Sequence, residues 1–116
     1  MLYAKIQNAK VTDTLLHYEG SITIDEEILK QMDILPGQKV QVLNLNNGER
    51  FVTYVIKGKK GEIVLNGPAA RLAYPGDTIL VLAYKWVNDE EVKNWRYKIA
   101  YLNEKNEIVK IEERSA

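Results

Sequence analysis

The sequence contains no cysteine and a single histidine, His17. The first absence removes disulfides, thiolate nucleophiles and cysteine-based zinc sites. The second leaves an all-protein metal centre short of ligands, and we expect no metal. With no G-x-S-x-G elbow around any serine, a Ser-His-Asp nucleophile has little support either. Net charge is missing too, because 16 Lys and Arg balance 16 Asp and Glu. A nucleic-acid binder ordinarily carries a basic excess, so nucleic acid is not an expected partner. No run approaches the ~20 apolar residues that cross a bilayer. Met1-Leu2-Tyr3-Ala4-Lys5 lacks the charged lead and apolar stretch of a secretion signal, and the expectation is a cytoplasmic protein without membrane association.

What is present suits one soluble domain over residues 1–116, with 46% hydrophobic and 28% charged residues and room for a single core. Short runs of β-branched and aromatic residues dominate. Val40 to Leu45 leads through Asn46-Asn47-Gly48 into Arg50 to Ile56, and Asn-Gly between two such runs signals a hairpin. Leu2 to Val11, Glu62 to Leu65, Thr78 to Tyr84, Tyr97 to Asn103 and Glu107 to Ile111 are further strands, the last two joined by Glu104-Lys105-Asn106. Helices are few and short: Asp25 caps one reaching about Met32, Asn88 caps Asp89 to Asn94, and Ala69 to Ala73 forms a single turn. Six or seven strands in a chain this small favour a compact barrel.

An internal echo supports that architecture. Ile34 to Leu45 (ILPGQKVQVLNL) aligns without gaps on Ala73 to Tyr84 (AYPGDTILVLAY), a spacing of 39 residues. Two copies are too few for a solenoid and suit a barrel of two related halves.

Few residues stand out chemically. The acidic clusters Asp25-Glu26-Glu27 and Asp89-Glu90-Glu91 fall at helix starts, where the macrodipole accounts for them. Lys57, Lys59 and Lys60 read as a solvated loop. Arg50, Val52 and Tyr54 share one face of a strand, with Phe51, Thr53 and Val55 on the other. An arginine so placed either pairs with a carboxylate or receives an anionic ligand. The junction Tyr18-Glu19-Gly20-Ser21 sets an unhindered carbonyl directly before a hydroxyl, ahead of the strand-like Ser21-Ile22-Thr23-Ile24. It is either a turn or a bond with chemistry of its own.

LHYEGSITID, together with NNGERFVTY (Asn46 to Tyr54), GEIVLNGPAAR (Gly61 to Arg71), GDTILVLAY (Gly76 to Tyr84), NDEEVKNWR and NEKNEIV, resembles the aspartate 1-decarboxylases in order and spacing over nearly the whole chain. The resemblance implies a double-psi β-barrel and self-cleavage between Gly20 and Ser21 into chains 1–20 and 21–116. It implies a covalent pyruvoyl cofactor made from Ser21, with no metal and no PLP, which takes L-aspartate as a Schiff base and releases β-alanine and CO2 for pantothenate synthesis. Gly20, with open access and unusual backbone angles, Tyr18, Thr53 as oxyanion donor and Asn66 at the reactive carbonyl would serve the cleavage. Arg50 and Lys5 would bind carboxylate, Tyr54 would donate the proton, and Thr53, Gly67, Pro68 and Ala69 would line the substrate site. A homotetramer with sites between subunits is implied, with a maturation factor in some members. Gln7-Asn8 stands where the family usually has His-Arg, Pro68 where it has Ala, and Lys85-Trp86 where small or polar residues are usual. The alternatives are a pyruvoyl decarboxylase for another acidic amino acid such as glutamate, or a poorly processed barrel that only binds a ligand.

Overall fold

A computed structural model describes all 116 residues. The β-branched and aromatic runs form β1 (Leu2–Lys10), β2 (Asp13–Leu15), β3 (Ser21–Asp25), β4 (Lys39–Asn44), β5 (Arg50–Gly58), β6 (Ile63–Asn66), β7 (Thr78–Tyr84), β8 (Arg96–Leu102) and β9 (Ile108–Ser115). Helices α1 (Glu26–Met32) and α2 (Asp89–Val92) and a 3₁₀ turn at Gly67–Arg71 complete it. No helix is long and apolar enough to cross a membrane. The carboxylate of Asp25 caps α1 by accepting from the Glu27 N–H at 2.8 Å, and it also accepts from the Gly61 N–H. The Asn88 side chain caps α2 through the Glu91 N–H.

The strands are hydrogen-bonded in the order β2-β6-β3-β5-β4-β7-β1-β8-β9. Only Val11 and Thr12 separate β1 from β2, and both keep the ladder going: the Val11 N–H donates to the Asp77 carbonyl and the Thr12 N–H to that of Ile63. The first and seventh members of the order are therefore one extended segment, and the sheet closes into a small barrel. Closure removes free edges, and the β8–β9 hairpin lies outside it against β1. Parallel pairs, β2 with β6 and β3 with β5, sit among antiparallel neighbours, in keeping with the crossed connections of a double-psi barrel. Ile6, Ile22, Ile24, Val42, Val55, Ile63, Leu65, Ile79 and Val81 fill the interior with no exposed surface.

The sequence echo is a structural pseudo-twofold. Val42 and Val81, equivalent in the two copies, pair directly, and Val40↔Ala83 and Asn44↔Ile79 flank them symmetrically. Both Pro-Gly turns dock alike. Gly37 N–H donates to the Val55 carbonyl and Gly76 N–H to that of Val11, while Val55 and Val11 return bonds to Gln38 and Asp77. Gly37 and Gly76 have φ of 87° and 94°, the left-handed setting that a type II turn demands after proline.

Several local readings shift. The Asn-Gly hairpin forms with a wider loop, Leu45 to Glu49, because the Asn44 side chain accepts from the Asn46 N–H and donates to Asp77 and the Leu72 carbonyl. The turn expected at Ala69 to Ala73 begins earlier, at Gly67, where Pro68 pre-sets φ for the first turn. Strand β2 has no counterpart among the expected strands, being three residues long and held by β6 alone. Lys57 belongs to β5 rather than to a loop and pairs with Glu26.

Candidate active site

Ser21 opens β3 directly opposite Asn66, the last residue of β6. It has no exposed surface. Its hydroxyl donates to the Glu19 carbonyl at 3.1 Å and accepts from Asn66 Nδ2 at 3.0 Å. The other Nδ2 proton reaches Thr23 Oγ1, also at 3.0 Å. Asn66 Oδ1 is buried and has no partner, a state that costs about 1–3 kcal/mol when left uncompensated.

Immediately after Asn66 the chain turns through Gly67 at φ 66°. A Cβ there would lie 2.8 Å from Gly20 Cα and 2.9 Å from both Gly20 N and the Tyr18 carbonyl oxygen. Residue 67 is thus glycine for two reasons, its backbone angle and the close approach of the 18–20 segment. Gly20 behaves otherwise than expected. It has no positive φ, and a Cβ at Gly20 would meet only Pro68 Cδ, at 3.4 Å, an ordinary contact. The special backbone angle lies on the neighbouring Gly67. Ala69 is buried beside Pro68, while Tyr18 is 55% exposed and meets this cluster through its backbone carbonyl.

A second group of residues lies on the outer face of the β1–β7–β4–β5 part of the barrel. Arg50, Val52 and Tyr54 point outward and Val55 is fully buried, as period-two alternation requires. Arg50 takes part in none of the ion pairs of the chain, so no carboxylate of its own chain partners it. Lys5 is likewise unpaired, standing between the fully buried Ala4 and Ile6. Register relates the two cations. Lys5 pairs with Leu82, Leu82 with Gln41 and Gln41 with Val52, so Lys5 is level with the stretch between Arg50 and Tyr54 but three strands away, roughly 14 Å. Beside this face opens a groove of about 580 Å³ lined by Met1, Val52, Tyr84 and Trp86 among others. Trp86 is fully exposed, while Lys85 folds back over the rings of Tyr3 and Trp95.

The two groups meet through β5. Its parallel register with β3 begins at Ile22↔Val55. Carried back along both strands, that register sets Ser21 level with Tyr54 and Gly20 level with Thr53. One chain therefore gathers Gly20, Ser21, Asn66, Gly67 and Pro68, brings Thr53 and Tyr54 alongside, and leaves Lys5 apart. His17 is exposed and makes no side-chain hydrogen bond. Gln7-Asn8 forms a bulge, two residues between the pairs Ile6↔Val81 and Ala9↔Ile79, with Asn8 at φ 63°, a conformation asparagine tolerates well. Pro68 sits in the first turn of the 3₁₀ segment, where a backbone N–H would be unused by the turn. Thr23 is the one member of the cluster that sequence reasoning passed over. The available signal was its position two residues after Ser21 on a strand, hence on the same face.

A family model described as aspartate decarboxylase matches residues 1–109. The chain is 52% identical over 109 residues to an aspartate 1-decarboxylase of Campylobacter hominis, covering 94% of this chain and 96% of that one. It is 55% identical to that of Campylobacter fetus subsp. fetus, over 93% of this chain and 95% of the relative. With an aspartate 1-decarboxylase of Staphylococcus aureus it shares 50% identity over 113 residues, 96% of this chain and 89% of the relative. With half of its residues shared across nearly its full length, and a barrel that buries Ser21, the chain belongs to the aspartate decarboxylase family.

Proposed function

We propose that the chain cuts its own backbone between Gly20 and Ser21, and that the product converts L-aspartate to β-alanine and CO2 for pantothenate synthesis. The observation that carries this reading is the Ser21 hydroxyl, fully buried and held by the Glu19 carbonyl and the Asn66 amide at a peptide bond pressed against Gly67. In the first step Oγ bonds to the Gly20 carbonyl carbon, the C–N bond breaks, and the hydroxyl proton passes to the Ser21 nitrogen, giving an ester and a free amine. Thr53, level with Gly20, is the assigned donor to the oxyanion that forms on the way. In the second step the α-proton of Ser21 leaves as a proton, the Cβ–Oγ bond breaks, and Gly20 departs as a carboxylate. Water then replaces nitrogen on the unsaturated residue, and ammonia and a pyruvoyl group result.

The surroundings fit such a group. The Asn66 Nδ2 N–H that reaches Ser21 Oγ is a donor suited to a carbonyl oxygen at position 21. The pyruvoyl carbonyl supplies the electron sink for loss of CO2, the part PLP takes in other enzymes. The rest falls to the chain. Arg50 offers a substrate carboxylate its two-pronged guanidinium, Tyr54 holds the proton for the product carbon, and Gly67, Pro68 and Ala69 bound the substrate. Lys5 stands three strands from Arg50 of its own chain, and the complete sites are placed between subunits of a homotetramer, as the family resemblance implies. A maturation factor would act on the exposed residues His17 to Glu19.

Intact mass under denaturing conditions tests the cleavage, with residues 1–20 and a pyruvoyl-capped 21–116 as the expected fragments. A chain that remains whole after long incubation at elevated temperature overturns unaided cleavage. Product analysis of the processed protein with aspartate and glutamate side by side tests the substrate. Exclusive formation of γ-aminobutyrate would overturn the aspartate assignment.

A further inference from the structure

The cleavage cluster contains a residue to which nothing above gives a role. That residue is Thr23, and its role lies in its bond to Asn66, whose amide offers two N–H donors and two oxygen lone pairs, of which only the donors are used. One Nδ2 proton goes to Ser21 Oγ and the other to Thr23 Oγ1, while Oδ1 is buried without a partner. Rotation about the last torsion of an asparagine is broad and weakly restrained by the side chain itself. The Thr23 hydroxyl is therefore the only fixed point that defines the amide plane apart from the reacting serine. Thr23 is in turn held. A Cβ built on Gly58 would fall 2.5 Å from Thr23 Cγ2, so the Thr23 methyl occupies the space over Gly58. For a β-branched residue, methyl placement and hydroxyl placement are one choice.

We infer that Thr23 is the positioning residue for self-cleavage: it fixes the Asn66 amide so that an N–H stays on Ser21 Oγ while that oxygen changes from hydroxyl to ester to leaving group. The inference rests on the self-cleavage reading and adds a step assignment to it. Negative charge builds on Oγ when the Cβ–Oγ bond breaks and Gly20 leaves as carboxylate, so an N–H held there acts chiefly in the elimination. The effect is relayed from Gly58 through Thr23 and Asn66 to Ser21, so a change at position 58, two strand pairs from Thr23, alters chemistry at the cut.

Two measurements test this on the full-length chain. In the uncleavable Ser21→Ala precursor, the side-chain amide of Asn66 gives a proton signal protected from exchange, and adding Thr23→Val removes the protection while Thr23→Ser retains it. This result does not depend on whether cleavage occurs. In cleavable chains, Thr23→Val slows formation of the pyruvoyl fragment about fivefold, the worth of one hydrogen bond, and Thr23→Ser stays within about twofold of the wild type. The Thr23→Val chain also accumulates ester, so hydroxylamine releases a 21–116 fragment beginning with serine in greater yield than from the wild type. A merely structural threonine would lower thermal stability without changing that yield. Gly58→Ala, which displaces the Thr23 methyl, shifts the same yield in the same direction. Wild-type rates in Thr23→Val, or equal slowing in Thr23→Ser, overturn the inference while leaving self-cleavage standing. A wild-type chain that never cleaves overturns self-cleavage, and with it the step assigned to Thr23, whatever the amide signal shows.

Discussion

The junction at Gly20-Ser21 and the outer face that carries Lys5 and Arg50 are built on opposite principles. At the junction the reacting hydroxyl is enclosed: Ser21 and Asn66 are buried, their hydrogen bonds run to each other, to Thr23 and to the Glu19 carbonyl, and Gly67 approaches so closely that a methyl group would collide with backbone. On the outer face, two cations stand on a sheet with no carboxylate to meet them, beside Val52, Tyr84 and a fully exposed Trp86. A chain can complete the first kind of site alone. The second is incomplete by itself, because an unpaired arginine among exposed apolar side chains wants an anion, a covering surface, or both. In the proposed function, making the cofactor draws on the enclosed junction and holding the substrate draws on the open face.

Gly67→Ala attacks the enclosed half and carries the largest expected effect. Residue 67 must keep its positive φ and its Cβ would stand 2.8 Å from Gly20 Cα, so we expect a loss of about 2–4 kcal/mol in stability and no measurable cleavage. Thermal unfolding and a cleavage time course read the two effects separately. Normal cleavage in this variant would show that the close packing is dispensable.

Arg50→Lys addresses the open half. It keeps the charge but loses the planar fork, and KM for aspartate should rise about tenfold while the cleaved fraction stays at the wild-type level. Steady-state kinetics beside denaturing mass analysis would check the split. An equal loss in both would dissolve the distinction between the two regions. Dilution gives the smallest and most general test: turnover per chain should fall as concentration drops below that needed for assembly, whereas the first-order rate of cleavage should not. A cleavage rate that follows concentration would place the junction, too, under the control of a partner copy.

The element list was legible because strands here obey local rules. Asp25 and Asn88 cap the helices their side chains are suited to cap, Pro-Gly precedes β4 and β7 as a type II turn requires, and alternation in β5 sets Arg50 outward and Val55 inward. Even the pseudo-twofold was visible, since pairing Val42 with Val81 needs only that the two copies match. Loop widths were less legible. The Asn46-Asn47-Gly48 turn opened because the Asn44 side chain bonds to Asp77, a residue 33 positions away, and no local signal encodes that.

The sequence alone determined all the strands but β2, the two-copy plan, the family resemblance and the identity of the bond at issue, because each rests on neighbouring residues or on residues at a fixed spacing. Tertiary structure alone decided that the constrained backbone belongs to Gly67 rather than Gly20, that Thr23 shares the amide of Asn66 with Ser21, and that Lys5 stands three strands from Arg50. These are relations between residues 43 to 47 positions apart, set by how the barrel closes. Closure depends on the packing of the whole core, so it cannot be read from any one stretch of chain.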